Sequence, residues 1–234
     1  MTSTRHSSVV RKIECEVSAN DLKPLYLTFD DGPDPDSTPE VLDALQERGM
    51  KATFFVVAEH ARKTPALLAR IVNEGHAIGN HSLDHTYRRL FRGKAALKGW
   101  VEDAEKILGD LIGKPTIGFR PPNGILTPEL KRALNELQMP IVYWNVRFYD
   151  TLFAWTEKKA LRSLDKTEAG SIVLLHDRQN QDKLPLFLRT FSVYSKHLQQ
   201  AGFQCRALNR DLIERNALKS GTQTSSDNNE SPGY

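Results

Sequence analysis

Cysteine is scarce in this chain, and long apolar runs are missing from it. The 234 residues include only two cysteines, Cys15 and Cys205. Two cysteines cannot form the framework of bridges that holds small secreted domains together, and neither belongs to a CxxC motif that would indicate zinc ligation. We therefore expect two free thiols. No apolar run approaches the ~20 residues that cross a bilayer, so the sequence predicts no transmembrane segment.

A strong charge of either sign is also missing. The formal net charge is +3, with hydrophobic residues at 39% and charged residues at 26%. Such a composition is typical of an ordinary globular protein and gives no support for a nucleic-acid partner. The first residues contain no apolar stretch of the length that a secretory signal requires, so the sequence predicts a cytoplasmic location.

Short apolar segments alternate with segments of helical periodicity. The run LYLTF at 25–29 ends in the turn sequence DDGPDPD, which is typical of a buried strand that leads into a loop. Further strands are predicted at 52–57, 77–79, 116–119, 141–144, 171–175 and near 203–205, and helices from 38, from 64, at 94–111, from 127, at 157–164 and at 186–200. This alternation predicts a single-domain α/β fold, a distorted (β/α) barrel of about seven parallel strands.

The sequence also predicts where this barrel begins and ends. Residues 1–22 are predicted to be an N-terminal extension, and residues 23–218 the catalytic domain. Residues 219–234 are polar, rich in Ser, Asn and Gly, and nearly free of apolar side chains. Such a composition is typical of a disordered tail.

Three polar motifs follow predicted strands: TFDDGP at 28–33, HSLDH at 81–85 and LLHD at 174–177. Because functional residues of a barrel lie just after the strand ends, we expect these motifs to meet at one site. Each motif alone has a simpler interpretation, since Asp30-Asp31-Gly32-Pro33 is also a good turn sequence and a pair of histidines can occur by chance.

The histidine spacing and the first motif together indicate a metal site. His81 and His85 stand four residues apart, and on a helical turn both imidazoles would face the same side. Two imidazoles and one carboxylate suit Zn²⁺ and leave a position open for water or substrate. Only one of Asp30 and Asp31 needs to bind the metal, and the other can accept the proton of an acidified water.

Five motifs in order resemble the polysaccharide deacetylases of carbohydrate esterase family 4, which are related to the nodulation chitooligosaccharide deacetylase. The resemblance runs from about Leu25 to Leu208. Its motifs are TFDDGP at 28–33, HSLDH at 81–85, RPPNG at 120–124, WNVRFYD at 144–150 and LLH at 174–176. The resemblance implies a metal-dependent hydrolase that removes an N-linked acetyl group from an N-acetylated amino sugar in an oligosaccharide or glycoconjugate.

The resemblance also implies a role for each matching residue. Asp31, His81 and His85 would bind one divalent metal ion, with Zn²⁺ as the first expectation and Co²⁺, Ni²⁺ and Mn²⁺ as alternatives. Asp30 would be the general base and His176 the general acid.

The remaining matches would orient these groups and contact the substrate. Arg120 would orient Asp30, and Asp150 would orient His176. The backbone N–H of Asn123 would donate to the acetyl oxygen as negative charge develops there. The other substrate contacts would come from Leu174, Trp144 and Arg147.

Three positions depart from the family pattern. Arg147 stands where the fourth motif often has an aspartate, and Thr151 stands where a tryptophan is usual. Asn123 replaces a usual tyrosine, although a main-chain donor survives this change. Because groove residues decide which sugar fits, these departures leave the identity of the substrate open.

A basic stretch follows the metal motif and contains Arg88, Arg89, Arg92 and Lys94. An exposed loop and helix start is the simple interpretation, and contact with a phosphate or an anionic lipid is the alternative. With the predicted cytoplasmic location, this stretch gives a second hypothesis, a deacetylase or deformylase of a lipid-phosphate-linked or nucleotide-linked amino sugar. A third hypothesis is an inactive sugar-binding protein on the same barrel, which would be expected to lack Asp30 or a metal ligand.

Overall fold

The computed structural model describes residues 9–18, 21–151 and 153–223. Within these ranges the strands are β1 (Val9–Val10), β2 (Lys23–Asp30), β3 (Ala52–Val56), β4 (Ala77–Asn80), β5 (Ile141–Val142), β6 (Val146–Arg147), β7 (Ile172–His176) and β8 (Phe203–Cys205). The helices are α1 (Thr38–Glu47), α2 (Ala58–Lys63), α3 (Pro65–Asn73), α4 (Lys94–Ile112), α5 (Pro128–Glu136), α6 (Glu157–Leu164), α7 (Leu184–Gln200) and α8 (Arg210–Gln223). Short 3₁₀ turns lie at Tyr87–Phe91 and Pro122–Gly124.

Parallel pairing joins the strands into a distorted barrel. The order β4-β3-β2-β7-β6 is one continuous series, and β8 pairs with the start of β2. Phe119 bridges Asn80 of β4 to Ile141 of β5. Because β5 and β6 belong to one stretch, 141–147, the ring closes there, with β5 beside Phe119 and β6 paired to β7. The predicted single-domain α/β barrel of parallel strands is confirmed.

The N-terminal segment completes the wall of this barrel. β1 pairs in parallel with β5, and Lys12 forms an antiparallel bridge with Ser171. Val10 and Ile13 are buried. Within the predicted extension at 1–22, residues 9–13 are thus part of the barrel wall, because burial of their apolar side chains stabilises them there. Residues 1–8, 19 and 20 lie outside the described residues.

The C-terminal helix α8 was not predicted, because the sequence indicated only the end of the domain at residue 218 and no helix between the last strand and that end. Helix α8 ends at Gln223, so the start of the predicted tail at 219–234 is helical. Residues 224–234 lie outside the described part of the chain.

Side-chain alternation along the strands decides which groups face the interior of the barrel. Phe29 of β2 packs in the core cluster between sheet and helices. Thr28 and Asp30 therefore face the interior. Leu174 and His176 of β7 lie in register with them. Asp30 and His176 end their strands on the same side, at the end of the barrel that we call its mouth.

The remaining elements differ from prediction in detail. The predicted strand at 116–119 is reduced to bridges at Phe119. Ile117 and Gly118 still bond to Ile78 and Asn80 of β4, whereas the Thr116 N–H donates to the Glu105 side chain. Helix α2 and strands β1 and β6 were not predicted, since each is too short to show a clear hydrophobic period. Cys15 and Cys205 are free thiols, as predicted. None of the helices in the described ranges has the length and apolar character of a membrane-spanning helix.

Candidate metal centre and active site

Asp31, His81 and His85 bring their ligand atoms together at the mouth of the barrel. Asp31 Oδ1 lies 3.4 Å from His81 Nε2 and 3.3 Å from His85 Nε2. One ligand atom from each of the three residues lies within 4.8 Å of the others. His81 Nδ1 is bonded to the Arg120 carbonyl oxygen at 2.8 Å, so Nδ1 carries the proton and Nε2 is left to bind a metal. One carboxylate and two imidazoles fit Zn²⁺ or a similar ion.

The two histidines meet through a loop and not through the helical turn that their spacing suggested. Ser82 and His85 adopt left-handed conformations, with φ of 78° and 54°. The Ser82 N–H donates to Asn80 Oδ1 at 2.8 Å, and the His85 N–H donates to Ser82 Oγ at 3.1 Å. These local bonds fold the loop back on itself, so that both imidazoles face Asp31.

Asp31 also has an unusual backbone, with φ of 79°. Its carbonyl oxygen is bonded to His60 Nδ1 at 2.8 Å, which fixes the peptide that follows the strand. Burial opposes ionisation of the carboxyl group, but the hydrogen bond and charge of His81 outweigh burial and hold the pKa of Asp31 below its usual value. The group is therefore an anion, ready to bind a cation, at neutral pH.

Asp30 and Arg120 form a buried ion pair inside the barrel. Arg120 Nη1 donates to Asp30 Oδ1 and to Thr28 Oγ1, both at 2.7 Å. The second carboxylate oxygen, Asp30 Oδ2, lies 3.8 Å from His81 Nε2. One oxygen of Asp30 is thus bound by Arg120, while the other faces the candidate metal centre.

Backbone carbonyl groups and an aromatic ring hold Arg120 in this position. Its Nε and Nη2 donate to the carbonyl oxygens of Val142 and Tyr143, at 3.2 and 2.9 Å. The guanidinium carbon lies 3.9 Å from the centre of the Phe55 ring. Arg120 is fully buried, and its bonds leave it one orientation.

His176 is paired with the buried carboxylate of Asp150. His176 Nδ1 is bonded to Asp150 Oδ1 at 2.8 Å, and the His176 N–H donates to Asp150 Oδ2 at 2.9 Å. Gln179 Nε2 donates to the same Oδ2 at 3.0 Å. Burial favours the neutral imidazole, but the hydrogen bond and charge of Asp150 outweigh it and raise the pKa of His176 to about 9. His176 is therefore protonated at neutral pH, with Nε2–H as its free donor.

Asp177, which the sequence analysis did not single out, fixes the turn that follows Asp30 and Asp31. The Gly32 N–H donates to Asp177 Oδ1 at 3.1 Å, and Thr38 Oγ1 donates to Oδ2 at 2.5 Å. A Cβ atom at Gly32 would lie 1.9 Å from Asp177 Oδ2, so only glycine fits there. Burial raises the pKa of Asp177 to about 7. The sequence offered one signal for this role, since Asp177 directly follows LLH at the end of a predicted strand.

The residues predicted to contact substrate lie on or beside the segments that carry Arg120 and His176. Leu174 is buried beside Thr28, and Asn123 lies in the turn Pro122–Gly124 with φ of 55°. The Trp144 ring lies 5.5 Å from the guanidinium carbons of both Arg120 and Arg147. Trp144 therefore connects the buried ion pair to the exposed wall of the site.

The basic stretch after the metal motif is partly neutralised. Arg89 Nε lies 2.9 Å from Asp84 Oδ2, and Lys94 pairs with Glu136. Arg88 and Arg92 form no ion pair with any other described residue. Because half of the stretch is already engaged by protein carboxylates, the predicted phosphate or lipid contact is not supported.

Comparison with known sequences gives a consistent result. The profile of the family described as "Polysaccharide deacetylase" matches residues 18–142. A peptidoglycan-N-acetylglucosamine deacetylase of Bacillus cereus is 38% identical over 151 residues, which are 64% of this chain and 54% of that protein. A chitooligosaccharide deacetylase of Azorhizobium caulinodans is 34% identical over 154 residues, 65% of this chain and 73% of that protein. The chain thus spans about half of the length of the first relative and almost three quarters of the second.

Comparison with solved structures extends the similarity beyond residue 142. The crystal structure of the peptidoglycan N-acetylglucosamine deacetylase Bc1960, in complex with 4-naphthalen-1-yl-N-oxidanyl-benzamide, matches with a TM-score of 0.75 and 30% identity. The match covers 89% of this chain and 94% of that chain. Coverage of this extent requires that the second half of the barrel is shared as well.

Proposed function

This chain belongs to the polysaccharide deacetylase family, and from this premise we propose that it hydrolyses the N-acetyl group of N-acetylated amino sugars in an oligosaccharide or glycoconjugate. One observation carries the proposal. The free oxygen of the buried Asp30 carboxylate lies 3.8 Å from Nε2 of His81. His81 belongs to the candidate metal-binding set, together with Asp31 and His85. A base beside a candidate metal centre is the arrangement that metal-assisted amide hydrolysis needs.

The family is metal-dependent, and Asp31, His81 and His85 are the residues that would hold the ion. When bound, a divalent ion polarises the acetyl carbonyl and lowers the pKa of a water molecule. The donor set favours Zn²⁺, while Co²⁺, Ni²⁺ and Mn²⁺ accept the same ligands.

Asp30 is the proposed general base. Because Arg120 occupies Oδ1, only Oδ2 is free to take the proton of the attacking water. The same ion pair fixes the orientation of the carboxylate inside the barrel. Thr28 shares the donor Nη1 of Arg120 and so helps to fix the guanidinium.

His176 is the proposed general acid. The water oxygen bonds to the acetyl carbon, the C–N bond breaks, and the departing sugar nitrogen takes a proton from His176 Nε2. Asp150 accepts from Nδ1 and keeps the imidazole protonated until that step. The backbone N–H of Asn123 is the proposed donor to the acetyl oxygen, and Leu174 the proposed wall of the acetyl pocket.

Acetate release tests this proposal. The full chain, loaded with Zn²⁺, is incubated with chitotetraose and with N-acetylated peptidoglycan fragments, and free acetate and free amine are measured together. We expect both products in equal amounts, loss of activity on chelation, and recovery when Zn²⁺ is returned. Asp30→Asn is the matched control, since it should keep the ion and lose most of the activity. Metal-loaded wild-type protein that releases no acetate from any of these substrates would contradict the proposal.

The alternatives receive less support. An inactive sugar-binding protein would be expected to lack the base or a metal ligand, whereas Asp30, Asp31, His81 and His85 are all present and close together. A lipid-phosphate-linked or nucleotide-linked substrate depended on the basic stretch, of which Arg89 and Lys94 are engaged by carboxylates. The cytoplasmic location stays a prediction, which fractionation of cells that express the tagged chain would test.

A further inference from the structure

Arg147 places an exposed positive charge on the wall of the mouth. It lies in register with Leu174 of β7, so the two side chains share one face of the sheet. Its neighbour Val146 is buried on the other face, in the cluster between sheet and helices. Arg147 therefore points to the face that carries Leu174 and His176.

Among the described residues, no carboxylate pairs with this guanidinium. Within residues 9–18, 21–151 and 153–223, the Arg147 side chain makes neither an ion pair nor a hydrogen bond, although its backbone pairs with β7. The other arginine of the site, Arg120, differs in both respects, because it is fully buried and neutralised by Asp30. An arginine that is exposed beside a site and leaves all its N–H groups free is able to bind an anionic group of a ligand.

Two aromatic rings hold the Arg147 guanidinium in place. Its carbon atom lies 3.7 Å from the centre of the Tyr149 ring and 5.5 Å from that of Trp144. Tyr149 has φ of 57°, a left-handed conformation that is unfavourable for an aromatic residue. Stacking uses the face of the guanidinium and leaves its N–H edge available. The planar edge is thus pre-oriented before any ligand arrives.

The position of Trp144 relates this edge to the reacting centre. The indole ring lies 5.5 Å from the guanidinium carbon of Arg120, which in turn holds the base Asp30. Arg147 is therefore separated from the Asp30 and Arg120 pair by one aromatic ring. A group bound by Arg147 would thus lie across the Trp144 ring from the Asp30 and Arg120 pair.

We propose that Arg147 is a specificity-determining residue that binds a carboxylate on the sugar adjacent to the one that is deacetylated. The proposal rests on the proposed function and adds a substrate class to it, namely amino-sugar oligosaccharides that carry carboxylates. A carboxylate is planar and accepts two parallel bonds from the edge of a guanidinium, which matches what Arg147 presents.

A pair of substrates that differ only in charge tests this inference. One is a tetrasaccharide of alternating N-acetylglucosamine and N-acetylmuramic acid with free lactyl carboxylates, and the other is the same compound with those carboxylates converted to methylamides. Neutral chitotetraose is the third substrate. The kcat/KM for acetate release is measured for wild type, Arg147→Gln and Arg147→Lys. Arg215→Gln, an exposed arginine of α8, is the matched control.

We expect wild type to prefer the free acid over its methylamide by about tenfold, the usual effect of a charge-assisted bond. Arg147→Gln should abolish this preference by lowering kcat/KM for the free acid far more than for the methylamide. Arg147→Lys should restore part of the preference, and Arg215→Gln should keep all of it. A wild type that deacetylates acid and methylamide equally, or an Arg147→Gln protein that keeps the preference, overturns the inference and leaves the proposed function standing. If none of the three substrates is deacetylated, both fail.

Discussion

Arg120 and Asp30 meet across 2.7 Å inside the barrel, where Arg120 is fully buried and Asp30 exposes only 5% of its side chain toward the mouth. A buried charge without a partner is costly, and so the two residues depend on each other. Arg120 also donates hydrogen bonds to the carbonyl groups of Val142 and Tyr143. Its side chain therefore links Asp30 to the segment 141–147, which closes the barrel.

Substitution of Arg120 should therefore affect stability as well as activity. Arg120→Ala leaves a buried carboxylate and two backbone carbonyls without donors, and we expect a loss of about 3–5 kcal/mol in the free energy of unfolding. Urea unfolding followed by tryptophan fluorescence measures the loss. Arg132→Ala, which removes an exposed arginine that pairs with Glu129, is the control and should change stability by less than about 0.5 kcal/mol. Equal unfolding midpoints for the two variants would show that the pair is not needed for folding.

Removal of a metal ligand should separate metal binding from folding. We expect His81→Ala and His85→Ala to bind Zn²⁺ at least tenfold more weakly than wild type in calorimetric titration, because each removes one of three ligands. Asp30→Asn should bind Zn²⁺ with nearly the wild-type affinity, since the ligand set does not need its carboxylate. Wild-type affinity in both histidine variants would exclude this centre.

The pH dependence of the rate should depend on Asp150. The carboxylate of Asp150 raises the pKa of His176 to about 9, so the acid stays protonated through neutral pH and is lost as the pH rises further. In Asp150→Asn the basic limb of the kcat profile should move to lower pH by about one unit or more, since the opposing effect of burial remains. The same pair should stabilise the fold fully below pH ~6.5 and lose that contribution as the pH rises through ~9. An unchanged basic limb in the variant would assign that limb to another group.

The turn after the base should depend on Asp177. Asp177→Ala leaves the Gly32 N–H and the Thr38 hydroxyl buried without acceptors. Each unsatisfied group should lower the free energy of unfolding by about 1–3 kcal/mol. We expect weaker Zn²⁺ binding and a lower kcat, because Gly32 directly follows the ligand Asp31. Asp177→Asn keeps one acceptor oxygen and should lose less of both. If Asp177→Ala keeps the wild-type affinity for Zn²⁺, the turn holds its shape by other contacts.

Much of this arrangement could be predicted from local signals. The apolar run before Asp30 predicts a buried strand, and Pro39 and Pro65 predict the first turns of two helices. Each prediction depends on only a few neighbouring residues, and the structure has β2, α1 and α3 at these places. His176 could be placed at the mouth because parallel strands end on the same side of a barrel. Functional side chains that directly follow predicted strands could thus be placed from the sequence.

The remaining features depend on contacts that no local signal specifies. The loop from His81 to His85 takes its form from the Asn80 and Ser82 side chains, which support left-handed residues that the spacing alone did not suggest. Asp177 reaches Thr38 across 139 positions of sequence, and its role appears only when β7 lies beside β2. Val9 and Val10 form a strand of two residues, which exists only because its backbone pairs with β5. That pairing partner lies far along the chain, so no local pattern predicts the strand.

The bonds from Asp177 to Gly32 and Thr38 have a consequence for how an ion would be taken up. They are made by protein groups alone, so no cation is needed to make them. The conformational entropy of this turn is lost once, when the chain folds, and is not lost again when the ion binds. We therefore expect metal exchange to be a local event that proceeds while the surrounding barrel stays folded.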